Sequence, residues 1–408
     1  MSSYQSPVPH PNDSTYDSLQ NPEHSEQAVV SEENEEPGPE RTDTDSTFGG
    51  SLLGCDTDTL ASYITDYKYE NGRQYHSYRD GEYWGPNDEH ANELQDLAHH
   101  MYLMTLEGRL HLAPIVNPHN ILDVGTGTGI WAIEMADAYP SAYVVGTDLS
   151  PTQPLFVPPN CAFEIEDCNM EWTYPKNHFD LIHIRELFGC VVDWDDFFQQ
   201  AFTHTRPGGY VEILEHAVTP VSDDDTVDAN HFFTKWGETV IGLGDKFGKS
   251  FSIWEESKTR MEQAGFVDVV EERYKWPMNG WPSPQHRTHG DDGGKSWRRL
   301  RELGVWNQLR LYDGVEGFMI RLLTTVGGWS YEAAQLFLAE MRINLKDFNT
   351  HAYLGVTVVY GRKPGLSRTT STETGSTETG STKTGSSGGF TVHPIPKSNF
   401  PGSYRGMT

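Results

Sequence analysis

The stretch Ile121–Ser150, ILDVGTGTGIWAIEMADAYPSAYVVGTDLS, restricts this chain more than any other. Ile121, Leu122 and Val124 form a short apolar run that breaks into Gly125, Gly127 and Gly129 at alternate positions. A helical pattern follows through Ile130, Ile133, Met135 and Ala136, closed by Pro140 and Ser141. Tyr143–Val145 then opens a second apolar run that ends at Asp148. Strand, crossover helix and strand in about 30 residues make a right-handed βαβ unit. Such a unit sets the glycine turn at the carboxyl end of its first strand, where doubly wound sheets bind ligands. Glycines there let the backbone turn sharply and come close to a ligand.

An acid at the end of the second strand, here Asp148, can accept both hydroxyls of a ribose, so the unit asks for a nucleoside. The dinucleotide fingerprint G-x-G-x-x-G would need its third glycine at Ile130. In this chain that glycine comes one residue early, at Gly129. Asp123, on the strand just before the turn, would repel a pyrophosphate and attract a cationic sulfonium. A nicotinamide oxidoreductase is the competing reading and predicts binding of NAD. The pattern D-x-G-x-G-x-G resembles the first motif of class I S-adenosylmethionine (SAM)-dependent methyltransferases.

Further strands are expected at Ala162–Ile165, Phe179–Ile184, Tyr210–Leu214, Phe266–Tyr274 and His351–Gly361. Helices are expected from Asn87 as N-cap toward Pro114, over Trp194–Thr205, His231–Lys246 and Ile253–Gly265, and over Tyr331–Asp347 with Ser330 as cap. Two more are expected near Trp297–Leu311 and Gly314–Val326, the second starting at Gly314. Seven of the eleven tryptophans lie between Trp236 and Trp329, where core packing or a pocket for a flat apolar substrate would use them.

The fragments Tyr75–Tyr83 (YHSYRDGEY), Pro86–Glu89 (PNDE), His111–Pro114 (HLAP), LDVGTGTGIWAIEMAD, FDLIHIRELFG and RPGGYVEILE resemble the LaeA-like group of fungal methyltransferases. The resemblance spans roughly Tyr67 to Lys363. It implies an α/β fold of the class I, Rossmann-like kind, with a seven-stranded sheet and SAM as cofactor. SAM would lie across Asp123, Gly125, Gly127, Gly129 and Asp148, with adenine beside Asp167 and Cys168; Glu166 is a neighbouring rival for that acid. Tyr75, Tyr78, Arg185 and Glu186 are candidate substrate or cofactor lining. Members of the group include tailoring enzymes and regulators of secondary metabolism.

Methyl transfer from a sulfonium needs alignment and exclusion of water more than a nucleophile. A base matters only for a hydroxyl or a protonated amine. His183, at the end of the fourth strand, is the candidate base, and His216, after the fifth, also stands at that edge. The fourth strand opens into His183-Ile-Arg-Glu186 where methyltransferases of base amino groups often carry Asp/Asn-Pro-Pro-aromatic, so a nucleobase is a poor acceptor. Two functions remain open: a tailoring enzyme acting on a small molecule, and a SAM-binding regulator that engages a protein partner, for instance through the aromatic N-terminal segment. No metal-ligand spacing stands out.

Thirty Lys and Arg against 59 Asp and Glu give a net charge of −29, which argues against binding nucleic acid through bulk charge. Arg298, Arg299 and Arg301 form the one basic cluster and read as a solvated helix face. Residues 1–65 are acidic, polar and proline-dotted, as in a disordered tail. Residues 365–408 carry the repeat TETGS TETGS TKTGS and read as a second tail. Residues 66–364 are then the methyltransferase domain, with a helical cap around 223–347. Cys55, Cys161, Cys168 and Cys190 show no disulfide or C-x-x-C spacing and read as reduced intracellular thiols, cytoplasmic or nuclear. Met1–Pro9 lacks the regions of a secretory signal, and no apolar run is long enough to span a membrane.

Overall fold

The computed structural model describes residues 66–286 and 295–365. Both expected tails lie outside them, save for Gly365. The central βαβ unit forms as its pattern requires: β3 (Asn120–Val124), a helix here termed α2 (Ile130–Ala138) and β4 (Tyr143–Asp148). With β5 (Cys161–Ile165), β6 (Phe179–Arg185), β7 (Thr205–His216), β8 (Val267–Pro277) and β9 (Tyr353–Arg362) they build a seven-stranded sheet. Its order is β5-β4-β3-β6-β7-β9-β8. The strands from β5 to β7 run parallel, and β9 lies antiparallel to both β7 and β8. Chain order reverses between β3 and β6, so the glycine turn leaves the sheet at its switch point.

Both faces of the central strands are buried, which explains their nearly unbroken apolar runs. On one face Trp131, Ala132 and Met135 of α2 pack with Ile121, Val144 and Leu181. On the other, Phe197, Phe198 and Ala201 of α3 (Trp194–His204) pack with Ile182, Ile184, Val211 and Ile213. Two buried acids fasten the segment entering β3: Asp180 accepts from the amides of His119 and Asn120, both at 2.8 Å, and Glu212 accepts from that of Leu112 at 2.8 Å.

Several local expectations are corrected. A hairpin of β1 (Lys68–Glu70) and β2 (Arg73–Tyr75) precedes α1 (Glu89–Thr105). The α1 N-cap is Asp88 and not Asn87. Arg73 donates to both Asp88 carboxylate oxygens at 2.6 and 2.8 Å, which leaves Oδ1 turned toward the amide of Ala91. Asn87 instead donates to Ser150 Oγ at 3.1 Å, at the end of β4. The expected strand Tyr210–Leu214 is longer than its apolar run: β7 begins at Thr205, takes in Pro207, Gly208 and Gly209, and has an irregular register against β6.

Gly314 does not divide a helix: α6 runs unbroken through Lys295–Arg321. A Cβ on Gly314 would stand 3.0 Å from Leu94 of α1, so the glycine serves close helix packing. Within 223–347, α5 (Ile253–Gln263) and β8 belong to the sheet layer, whereas α4 (Phe232–Phe247), α6 and α7 (Tyr331–Asn344) carry residues that line the cavity at the carboxyl ends of the strands. Ser330 caps α7 by accepting from Ala333 N at 3.2 Å.

Candidate functional site

The carboxyl ends of β3, β4, β6 and β7 open on a cavity of about 260 Å³ roofed by α1 and α6. Its floor at one end is the glycine turn. Gly125, Gly127 and Gly129 all take left-handed φ values, +71°, +57° and +80°. A side chain at Gly127 would strike Gln95 of α1, and one at Gly129 would strike the Phe163 ring. Side chains hold the turn in place from both sides. Asp148 Oδ2 accepts from Gly127 N at 2.9 Å, Gln153 Nε2 donates to Gly127 O at 2.6 Å, and Thr128 donates to Asp96 at 2.6 Å.

Asp148 lines the cavity, and its second oxygen accepts from Ser150 N at 2.9 Å. Burial pushes its pKa up to about 6 in spite of those amide donors. A carboxylate so placed can take hydroxyl donors from the cavity side. Asp167, Cys168 and Glu166 line the same end. Asp167 is buried, paired with Arg79 at 3.0 Å and bonded by Asn169 through its amide and side chain at 2.9 and 3.0 Å. The glycine cradle, the strand-end acid Asp148 and the acid-bearing turn at Asp167 thus fit the nucleoside part of SAM, with the roof of α1 to exclude water.

Asp123 and His183 sit elsewhere than expected. They face each other across the β3–β6 register, beneath the glycine turn and away from the cavity. His183 Nδ1 donates to Asp123 Oδ1 at 2.7 Å, while Thr126 Oγ1 donates to Oδ2 at 2.6 Å. The imidazole stacks on Trp131 with centroids 3.6 Å apart and planes within 4°. Burial lowers its pKa to about 4, against the pull of Asp123. His183 is therefore a neutral core residue that braces the turn through Asp123 and Thr126, and it cannot reach an acceptor in the cavity.

Tyr75 and Tyr78 do not line the cavity either. Tyr75 is fully buried beneath the Arg321 guanidinium, 4.5 Å from its ring centroid. The aromatic segment instead sends Tyr83 and Trp84 to the cavity wall. Ion pairs hold it there, among them Arg73–Asp88, Arg79–Asp167, Lys249–Glu82 and Arg321 with both Glu70 and Asp80.

Arg185 and Glu186 do line the cavity, as expected. Arg185 donates to His99 Nδ1 at 3.0 Å, and His99 bonds Glu134 at 3.1 Å. Glu186 takes a left-handed φ of +53° and accepts from Arg310 Nη2 at 2.6 Å. Burial alone would raise its pKa, but Arg310, His216, Arg185 and the Tyr102 hydroxyl together hold it below the ordinary value. Beyond this group lies an aromatic chamber of Trp84, Phe188, Trp236 and Phe318, where Trp84 meets Phe318 edge-on at 4.8 Å. Of the seven tryptophans between Trp236 and Trp329, Trp236 alone lines this chamber, while Trp276, Trp306 and Trp329 pack in or against the core. Arg310 and His216 converge from α6 and β7, and no sequence spacing signals their meeting with Glu186.

Among the described residues no helix is long and apolar enough to cross a membrane, and no group of three or more His, Cys, Asp or Glu is placed to hold a metal ion.

A methyltransferase-domain family model matches residues 97–272. Methyltransferase pytC of Aspergillus terreus is 34% identical over 329 residues, covering 80% of this chain and 97% of that protein. The secondary metabolism regulator LAE1 of Cochliobolus heterostrophus is 34% identical over 302 residues, 72% of this chain and 94% of the relative. The protein-methionine methyltransferase laeA of Emericella nidulans is 29% identical over 300 residues, 72% and 76% of the two chains. Identity at this level over most of both partners makes this chain a member of the LaeA-like family of SAM-dependent methyltransferases.

Proposed function

We propose that this chain methylates a small secondary metabolite held in the aromatic chamber, with the nucleoside of SAM at the glycine end of the same cavity. The observation that carries the reading is their continuity. One cavity joins the glycine turn, Asp148 and Asp167 to Trp84, Phe188, Trp236 and Phe318. In this reading Asp148 accepts the ribose hydroxyls, the acid-bearing turn at Asp167 and Cys168 takes the adenine, and Gly125–Gly129 give the backbone its close approach.

The sulfonium, when bound, supplies an activated methyl group together with its own leaving group. What remains for the chain is to orient the acceptor and keep water out. The strap from Arg73 to Asn87 covers one side, and its Arg79–Asp167 pair fastens it over the adenine end. The apolar rings leave a flat acceptor little to displace but water.

Similarity to the regulator LAE1 over 72% of this chain favours a second reading, in which turnover serves control of several pathways. Within the aromatic N-terminal segment Tyr75 and Trp84 are buried against the domain, which leaves the exposed Tyr69 as the ring a partner could meet. Metabolite profiling of a deletion strain separates the two. Loss of the methyl group from one product supports the tailoring enzyme, whereas simultaneous silencing of several unrelated products supports the regulator.

A further inference from the structure

We propose that His216 is the base that takes the proton from the methyl acceptor, and that this acceptor is a phenol or enol on a flat apolar skeleton. The proposal rests on the reading of the cavity given above.

The tautomer of His216 follows from its neighbours. Its Nδ1 lies 2.8 Å from the carbonyl oxygen of Ala217, which can only accept, so Nδ1 carries the proton. Nε2 then carries the ring's lone pair, met only by a long hydrogen bond of 3.4 Å from Arg310 Nη1, and the residue lines the cavity. Burial lowers its pKa, with Glu186 opposing and Arg310 assisting, so the ring is neutral at neutral pH.

What faces Nε2 is a second acceptor. Glu186 Oε1 stands 3.5 Å away, buried and with no hydrogen-bond partner. Two acceptors that close, neither able to donate, form a poor arrangement by themselves. They become a good one around an incoming O–H. Around them stand the Arg310 guanidinium, which donates to Glu186 from Nη2 at 2.6 Å and to His216 Nε2 from Nη1 at 3.4 Å, and beside Glu186 the Arg185 guanidinium and the buried Tyr102 hydroxyl. The left-handed backbone at Glu186, φ +53°, accompanies the placement of its carboxylate here.

The acceptor class follows from the same groups. A protonated amine would meet Arg310, and a carboxylate would meet Glu186 and need no base. An aliphatic alcohol is too weak an acid for a neutral imidazole. A phenol or enol is acidic enough, and its ring suits Trp84, Phe188 and Phe318. In the step, the O–H bond breaks and its electron pair stays on oxygen beside Arg310. The N–H bond forms on Nε2, and the resulting imidazolium lies against Glu186. The oxygen is then the nucleophile for the methyl group.

The test uses the full chain loaded with S-adenosylhomocysteine and 7-hydroxycoumarin as probe, whose phenol and phenolate absorb at different wavelengths. The wild-type protein is expected to hold the bound probe mainly as phenolate near neutral pH. His216→Gln should bind both compounds yet lower the phenolate-to-phenol ratio at least about tenfold. Glu186→Gln, which removes the counter-charge of the imidazolium, should lower it in the same direction and covers the case of a misfolded His216 variant. With SAM, methylation of the probe should fall about 10²-fold in His216→Gln at unchanged SAM affinity. Equal phenolate fractions in wild type and His216→Gln would overturn the proposal. So would undiminished methylation in that variant, preferential binding of 7-aminocoumarin, or no binding of either coumarin. Failure of the wild type to bind S-adenosylhomocysteine would instead overturn the reading of the cavity.

Discussion

Asp148→Asn tests the cofactor end of the cavity with the least disturbance of shape. In the wild type one carboxylate has four tasks. It accepts the amides of Gly127 and Ser150 at 2.9 Å each and keeps lone pairs for two ribose hydroxyls. Asparagine keeps one acceptor oxygen, so one backbone amide and one ribose hydroxyl meet an NH2 donor instead. Hydrogen bonds to a charged group are worth about 1.5–3 kcal/mol and neutral ones about half that. Losing the charge on two such bonds removes roughly 2–3 kcal/mol, or about 10²-fold in affinity for S-adenosylhomocysteine. The pH dependence adds an independent signature. Burial raises the free protein's Asp148 to about pKa 6. Ribose hydroxyls bond the ionised form more strongly than the protonated one, so the complex has a lower pKa than the free protein. Affinity is then full above about pH 6 and falls as pH drops through 6, approaching tenfold per pH unit. The sign for folding is opposite: a carboxyl raised above its unfolded value opposes folding as pH rises from about 4 to about 6. Titration calorimetry from about pH 8 to about pH 5 reads the binding effect directly. Equal affinity in wild type and Asp148→Asn, or a flat wild-type profile across that window, would refute the reasoning.

Gly127→Val forces a β-branched residue to φ +57° and drives its side chain into Gln95. It should lose S-adenosylhomocysteine binding while costing about 1–3 kcal/mol of stability, seen as an unchanged far-ultraviolet spectrum without a ligand-induced thermal shift. His183→Phe keeps an aromatic ring on Trp131 but strands Asp123 Oδ1. Urea unfolding should show a loss of about 1–3 kcal/mol, with methyl transfer per folded molecule preserved; a selective loss of turnover would restore His183 as a base. Arg321→Met removes hydrogen bonds to Asp80, Glu70 and the Tyr83 carbonyl at 2.9, 3.2 and 3.3 Å. Because Glu70 and Asp80 are about a third exposed, the cost should be modest, on the order of 1–2 kcal/mol, and limited proteolysis should cut between Tyr67 and Gly85 faster than in wild type.

The βαβ unit was legible because its signals are local: an apolar run, glycines where backbone must bend, and an acid at the next strand end. Asp148 follows from the same logic, whereas Asp167 comes from the family resemblance, with Glu166 as its rival; all three line the cavity. Which face of the sheet a residue joins is a matter of register, and there the reading failed for His183. It pairs opposite Asp123 in the β3–β6 ladder, so both point under α2. The β1–β2 hairpin was missed because strands of three residues, rich in charge, carry no period. Gly314 misled because a glycine inside a helix looks alike whether it breaks the helix or lets a neighbour approach. The meeting of Glu186, His216 and Arg310 was illegible for another reason. It joins the ends of β6 and β7 to the middle of α6, and only the packed sheet brings these together.

The most direct measurement is a crystal structure of the complex with S-adenosylhomocysteine. The ribose should lie on Asp148, the adenine beside Asp167 and Cys168, and the sulfur should be directed toward Glu186, His216 and Arg310. Ligand density outside this cavity, or a nucleoside lying in the aromatic chamber with its sulfur turned away from that group, would contradict this placement.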